Sequence, residues 1–522
     1  MNIVKSGKKK IIWLVLISIP AVLAALVVLL IVVINTQRFR DFLRSEIIDQ
    51  AARRAGIRLE IGGLAAHWTG LALDFTDIVV RGADDSATAR PPLFQAKHLQ
   101  LAFQFLPLLH RDLELRSIVL DRPVMRLRID SRGRTNLPSP PQTSSNSNGT
   151  DAFFDLAIQN CAIRSGEIYY NDAQMPLDAE LHDLKFDAGY SRLTGEYKGS
   201  ISYDRGRIAS PLIQPIEHAV QAQFTASRTV FTVSPLTITS GASRLSANAR
   251  VTNYANPEID GKYDGNLFTS ELANALKLAS MPVGEVALDG TFGYHAKTQQ
   301  SFLAGLSING QMRSGKLTLR TTQGTLMASA LRAMYELKDA KVRVDGLVAQ
   351  ILGGQAKASW EMLRADSSSP SSRLNFSLKG VSLTNASDAL GPRDLNKLRL
   401  AGTANLEIQA AWSGPIQNAI AHSRLAVSNP EHANAAPSSI PVNGLVQAGY
   451  DGPRNKISFA QSYLQTSSTK ITISGTLDSR GRANSDVDVV ATTGDLHEVG
   501  SLVSLVENTL RPPAHPPIVP PC

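Results

Sequence analysis

From Ile57 onward, apolar and polar residues alternate almost without interruption. "IRLEIGGL", "GLALDFTDIVVRG", "HLQLAFQF" and "DLELRSIVL" carry the two-residue period of a half-buried strand, and each is broken by Gly, Pro or Asp. The alternation recurs at Met125, Leu127 and Ile129 in "PVMRLRID", and at Leu236 and Ile238 in "PLTITS". It continues at Leu245, Ala247, Ala249 and Val251 in "SRLSANARV", at Leu317 and Leu319 in "GKLTL", and at Val342 and Val344 in "KVRVDG". Ile471 and Ile473 in "TKITISGTL" and Val487 and Val489 in "SDVDVVA" complete the series. Residues two apart on a strand share a face, so each set predicts one apolar and one polar side. Helical spacing is confined to "SELANALKLA" from Ser270, "TLMASALRAMYEL" from Thr325 and "GDLHEVGSLVSLVE" from Gly494. Three short helices are too few to cover so many strands, so the sheet is expected to show an apolar face to something other than its own helices.

The N-terminus follows a different rule. Ile11 to Ile34 is uncharged, and its 24 residues would reach about 36 Å as a helix against a bilayer core of about 30 Å. The apolar run continues past the small residues of "AVLAAL", which favours an uncleaved anchor over a signal peptide. Lys5, Lys8, Lys9 and Lys10 form a compact basic tail before it, and the positive-inside rule then places residues 1–10 in the cytoplasm and the bulk outside. We expect a bacterial single-pass inner-membrane protein with a periplasmic body. Directly after the span, "TQRFRDFLRSEIIDQAARRAG" keeps Phe39, Phe42, Leu43, Ile47, Ile48 and Ala51 at helical spacing before Gly56. This helix either packs on the first strands or lies in the membrane interface with its arginines at lipid head groups.

"SPPQTSSNSNGT", Ser139 to Thr150, is a Pro/Ser/Asn linker. It divides an N-terminal domain at 35–138 from a repetitive β domain at 151–507, which the Pro-rich tail 508–522 follows. Within the second domain "AVQAQFTASR" at Ala219 matches "LVQAGYDGPR" at Leu445, and "SRLSANARV" falls opposite "TKITISGTL". "KYDGNLFTSELANAL" then corresponds to "DVVATTGDLHEVGSL", with a third copy in "FSLKGVSLTNASDAL" from Phe376. Strand, turn, strand and a Leu-rich short helix make up the shared plan, and such iteration predicts an elongated stacked sheet. Twenty to twenty-five strands at about 4.8 Å would run on the order of 100–120 Å.

Composition agrees: charged residues are 19% and aromatics 6% of the chain, with polarity carried by Ser, Thr, Asn and Gln. Two cysteines, Cys161 and Cys522, form neither a disulfide framework nor a metal motif. The net charge of +8 and the six arginines of "RSIVLDRPVMRLRIDSRGRTNL" raise nucleic-acid binding as a possibility. Yet Arg126 and Arg128 alternate with Met125, Leu127 and Ile129, and no aromatic stands among them to stack on bases. They read as the solvated back of an apolar strand, and no nucleic-acid partner is expected.

Three stretches resemble the AsmA-like family of Gram-negative envelope proteins. The first is the anchor with its amphipathic helix and "AGIRLEIGGL". The second is "LQLAFQFLPLLHRDLELRSIVLDRPVMRLRID", Leu99 to Asp130, and the third is "DSRGRTNL". The resemblance is strongest over residues 1–137 and is one of pattern beyond them. It implies a curved β-sheet groove lined by apolar side chains. Such a groove would carry phospholipid between inner and outer membranes or serve outer-membrane biogenesis.

The expected fold is therefore mainly β: a transmembrane helix, then an elongated, curved, repeat-like sheet forming an apolar groove, with few short helices. The groove candidates are the alternating residues named above, from Met125 to Val489. No zinc-helix His pair, GxSxG elbow, Walker loop or strand-borne GxGxxG occurs, so no catalytic residue, metal or cofactor is expected. The expected partners are phospholipid, the inner membrane and outer-membrane or assembly proteins. The other open reading is a scaffold that captures outer-membrane strands at its sheet edges.

Overall fold

The computed structural model describes residues 36–37, 41–42, 44–46, 48–49, 57–67, 71–82, 91–104, 114–137, 154–173, 177–211, 213–254, 256–278, 281–295, 301–321, 324–390, 399–429, 439–478 and 485–494. The anchor expected at 11–34, the linker at 139–150, the helix expected after Gly494 and the Pro-rich tail lie outside them. Among the described residues no helix is long and apolar enough to cross a membrane. Two units divide the chain, Met1–Ser240 and Gly241–Cys522.

The first unit holds β1 (Ile57–His67), β2 (Ala72–Gly82), β3 (Phe94–Phe103), β4 (Leu115–Asp121) and β5 (Val124–Ile129), then β6 (Asn160–Asp172), β7 (Leu177–Ser191), β8 (Glu196–Ser210), β9 (Ile213–Ala226) and β10 (Val230–Ser240). β1 to β3 are an antiparallel meander in which Ile61 faces Ile78 and Ile78 faces Ala96. Helical residues between 41 and 49 bring Ile48 onto the cluster of Ile61, Phe75, Ile78 and Ala96, so the amphipathic segment does pack on the first strands. β4 and β5 follow one line broken at Arg122, whose φ is +47°, and both pair in parallel with β6. From β6 to β10 every neighbour is antiparallel.

The second unit opens with β11 (Ser243–Thr252), β12 (Glu258–Phe268), helix α1 (Thr269–Ala275) and β13 (Val283–His295). Helix α2 (Phe302–Gly305), β14 (Leu306–Arg320), β15 (Thr325–Lys338), β16 (Lys341–Ile351), β17 (Gly354–Leu363), β18 (Ser371–Ser382) and α3 (Leu383–Leu390) follow. Then come β19 (Arg399–Ala401), β20 (Thr403–Ser413), β21 (Ile420–Ser428), β22 (Ser439–Pro441), β23 (Asn443–Asp451), β24 (Lys456–Gln465), β25 (Thr469–Asp478) and β26 (Asp486–Thr493). β11 to β18 are successive antiparallel neighbours, continued by β20, β21 and β23 to β26. β19 and β22 form a separate parallel pair.

One expectation fails here. Thr325 to Leu337 is not a helix but most of β15. Its Leu, Met, Ala and Glu favour a helix intrinsically, yet pairing on both sides, to β14 and β16, outweighs that propensity. A bulge at Ala330, with φ +51°, hides the alternation by shifting it one residue.

The repeat is structural as well as textual. β10, a turn, β11, β12 and α1 correspond to β16, a turn, β17, β18 and α3, and β24, β25 and β26 continue the plan. In the first copy Glu271 of α1 reaches back to the turn, accepting from Ala242 N (2.7 Å), Ser243 N (3.3 Å) and Ser243 Oγ (2.5 Å). In the second, Asn385 of α3 donates to Leu352 O at 3.5 Å, at the turn where Gly353 has φ +83°. Glu271 of the first short helix thus holds the start of β11, and Asn385 of the second fastens the β16–β17 turn.

Burial pushes the Glu271 carboxyl up, but the three hydrogen bonds outweigh it and hold the group below the usual carboxylate range. A depressed folded-state pKa gives stability that is present above the unfolded value and lost as pH falls through the folded one. The protection factors of the Ala242 and Ser243 amides, that is, exchange relative to the intrinsic rate at each pH, are therefore expected to fall on acidification from pH 7 to pH 3. Glu271→Ala should show the lower protection already at pH 7.

Candidate functional site: a continuous apolar strand face

Directly opposed residues of paired strands point to the same side of a sheet, so register alone maps the faces. In the second unit, Leu245, Ala247, Ala249 and Val251 stand opposite Gly265, Tyr263, Gly261 and Ile259. These face Leu288, Gly290, Phe292 and Tyr294 on β13. β14 continues with Met312, Gly310 and Ile308, and beyond a bulge with Leu317 opposite Gly284 and with Leu319. Tyr335 and Leu337 on β15 carry the face to Val344 and Val342, and these carry it to Trp360 and Met362. Leu374, Phe376 and Leu378 on β18 meet Ala410, Ile408 and Leu406 on β20. At the far end Ile471 and Ile473 stand between Leu464 and Ser462 on β24 and Ala491 and Val489 on β26, while Val487 faces Gly475.

All eleven groove candidates in this unit, from Leu245 to Val489, therefore lie on one face. The opposite face is polar: Arg244, Ser246, Asn248 and Arg250 on β11 oppose Asn266, Asp264, Lys262 and Asp260. Further along, Arg343 opposes Glu361, which opposes Arg373. Glu361 accepts from Lys341 Nζ at 2.5 Å, and that contact holds its carboxyl below the usual range.

The first unit brings its five candidates together in the same way. Met125 and Leu127 lie in register with Ile168 and Tyr170, and Ile129 with Asp172. Leu236 and Ile238 oppose Ala222 and Val220. Arg126 and Arg128 take the other side, Arg126 over the Tyr169 ring at 5.2 Å and 3.4 Å from Gln95 Oε1. "DSRGRTNL" is an edge clasp: Asp130 accepts from Arg132 N and Arg134 N at 2.9 Å each, around Gly133 with φ +77°. Asn136 then accepts from Arg128 N (2.9 Å) and donates to Arg126 O (2.7 Å), occupying the exposed edge of β5.

The two units differ in what lies on the apolar face. In the first, Phe154 and Ile158 close over Ala188 and Tyr197, with Phe186 and Phe224 packed alongside. In the second, Val381, Ala404, Val427 and Val442 gather Leu383, Ala386 and Leu400 of the α3 and β19 region. Between β11 and β18 the large side chains Leu245, Tyr263, Leu288, Phe292, Met312, Tyr335, Val344, Trp360 and Phe376 are only half-buried. The residues buried on that stretch are mostly small, such as Ala247, Ala333, Ala349 and Ala356, with Leu317 and, beside α3, Val381 the larger exceptions. Sequence patterning missed its aromatic members. Their signal was present in "LDGTFGYH", where Leu288, Phe292 and Tyr294 alternate with residues that include glycine. Among the described residues no group of three or more His, Cys, Asp or Glu is placed to hold a metal ion.

A long antiparallel ladder with one apolar and one polar face, and with its large apolar residues left half-exposed, defines a β-sheet protein organised around a surface rather than a pocket. The chain belongs to the AsmA family, whose family model matches residues 7–389. That match runs from the N-terminal tail to α3, well beyond the 137 residues where the sequence resemblance is strongest, and it associates the chain with the cell envelope. Comparison with curated proteins finds no match, and comparison with solved structures finds none.

Proposed function

We propose that this chain is a non-enzymatic lipid carrier of the cell envelope. In this reading it is anchored in the inner membrane by residues 11–34, with its sheet in the periplasm, and serves phospholipid transport or outer-membrane biogenesis. The observation that carries the reading is the half-exposed apolar face of β11 to β17, which none of the buried hydrophobic clusters of the described residues includes. Each methylene that leaves water for such a face contributes about 0.8 kcal/mol. Two acyl tails therefore gain enough to sit there while the head group stays hydrated. Because the face continues from strand to strand, a tail can shift along it by exchanging one apolar row for the next, and no single side chain is indispensable.

The test is native mass spectrometry of the full chain purified in mild detergent. Co-purified phospholipid is expected with the wild type and with Gln350→Asp, on the polar face. It should fall at least tenfold in a Leu245→Asp/Val344→Asp variant, since an unpaired carboxylate on the apolar face opposes tail binding by well over 1.4 kcal/mol. Leu245 and Val344 are half-buried, so both carboxylates keep some water and the ladder can persist. A wild type that never carries lipid would remove the reading. It would leave a scaffold that adds strands at its sheet edges as the better account.

A further inference from the structure

On the uncovered stretch two tyrosines interrupt the apolar surface. Tyr263 on β12 and Tyr335 on β15 have phenol oxygens 2.6 Å apart. They are three ladders apart, with Tyr263 opposite Gly290, Gly290 opposite Gly310, and Gly310 opposite Tyr335. Four strands span about 14 Å, so the rings must lie nearly flat to meet. The glycines permit it: a methyl on Gly290 would stand 2.7 Å from the Tyr263 oxygen, and one on Gly310 only 2.6 Å from that of Tyr335. The rows on either side are apolar, with Phe292, Ile308 and Leu337 on one and Leu288, Met312 and Ala333 on the other.

A bond between two hydroxyls consumes one proton of two. Among the described residues neither phenol has a further partner, so one O–H is left to donate on an apolar surface. Burial, then the hydrogen bond with Tyr335, pushes the Tyr263 phenol up, which keeps it protonated. An unpaired donor in such surroundings is costly unless a ligand or water accepts from it. A diacyl glycerophospholipid is apolar along both tails and carries ester carbonyls, which only accept, where the tails begin.

We propose that the Tyr263–Tyr335 pair is a recognition point for an acyl-ester carbonyl, donating its free phenol proton to a diacyl glycerophospholipid whose tails lie on the flanking rows. This rests on the lipid-carrier reading and narrows its substrate to ester-linked lipid. The full chain in detergent is offered an equimolar mixture of a diester phosphatidylethanolamine and its diether analogue with matched chains, and the bound ratio is read by native mass spectrometry. One neutral hydrogen bond predicts a diester preference of about three- to tenfold in the wild type. Tyr263→Phe/Tyr335→Phe should bring the ratio to about one with diether retention unchanged, which also shows that the face is intact. Tyr335→Phe alone should keep the preference, because Tyr263 then donates freely. A wild-type ratio of one overturns the proposal while leaving the carrier reading standing, as does a double variant that keeps the preference. Loss in the double variant of palmitate binding, with diester binding intact, would assign the pair to free fatty acid and overturn it too. A wild type that retains neither lipid overturns the carrier reading and this proposal with it.

Discussion

Ile471→Asp is expected to strip hydrogen-exchange protection from β24 to β26 while β11 to β18 keep theirs. Ile471 is 1% exposed, the central member of a cluster with Ile473 against which Phe459 and Val487 pack. Its cross-strand neighbours are Leu464 and Ala491, and none of these side chains can donate a hydrogen bond to a carboxylate. The aspartate must be desolvated without a partner or be protonated, and either costs several kcal/mol. In an array where each strand touches only its neighbours, stability is a sum of local and nearest-neighbour contributions, so the loss should stay near its origin. Thr472→Asp, one residue on and exposed on the polar face, should change stability by less than about 0.5 kcal/mol. Strand-resolved exchange measured by mass spectrometry checks both. Loss of protection spread evenly over the unit, or equal effects of the two variants, would refute the local account.

The alternation of Ile471 and Ile473 with Lys470 and Thr472 made that geometry readable from sequence, and the same holds for Leu245 to Val251 and for Met125 to Ile129. For Leu245 to Val251 the intervening Arg244, Ser246, Asn248 and Arg250 also face polar residues on the neighbouring strand, so strand identity and face were specified together. Legibility failed where the period breaks. Ala330 in β15 takes a left-handed φ, and the bulge there leaves Leu326 and Ala328 out of step with Leu331, Ala333 and Tyr335. The resulting spacing imitates a helix. The tyrosine pair was hidden for another reason: Tyr263 and Tyr335 are 72 residues apart in sequence. Only the register of three ladders shows that glycines lie between them. Sequence also cannot say which apolar strand faces are covered. The short segment from Phe154 to Ile158 lies on one such face, and nothing in the strand pattern announces it.

That covered face supplies the second large effect. Tyr197 on β8 is 2% exposed, and its ring meets Phe154 edge-on at 5.5 Å and Tyr190 at 4.9 Å. Ile158 N donates to its phenol oxygen at 2.9 Å. Phe154 and Ile158 pack on this side chain, which also accepts the Ile158 N–H; Tyr190 N donates to Ile158 O at 3.1 Å and Arg228 pairs with Asp155 at 2.6 Å on the same segment. Tyr197→Phe should cost about 1–3 kcal/mol by leaving the buried Ile158 N–H without its acceptor. Tyr197→Ala, which also removes the ring, should cost about 3–5 kcal/mol. The alanine variant should have a second consequence that ordinary core damage lacks. With the Phe154–Ile158 segment released, Phe186, Phe224 and Ala188 join the solvent-facing apolar surface. A dye that fluoresces on apolar surfaces should then bind the folded protein more strongly at temperatures well below unfolding, and lipid retention should rise rather than fall. A drop in stability with no gain in either would mean that the segment stays seated without Tyr197. The distinction matters for the whole chain, because the strands of both units carry the same alternation. What separates core from binding surface is whether another part of the chain lies on the apolar side, as it does over β6 to β9 and where α3 meets Val381 of β18, and does not among the described residues over most of β11 to β17.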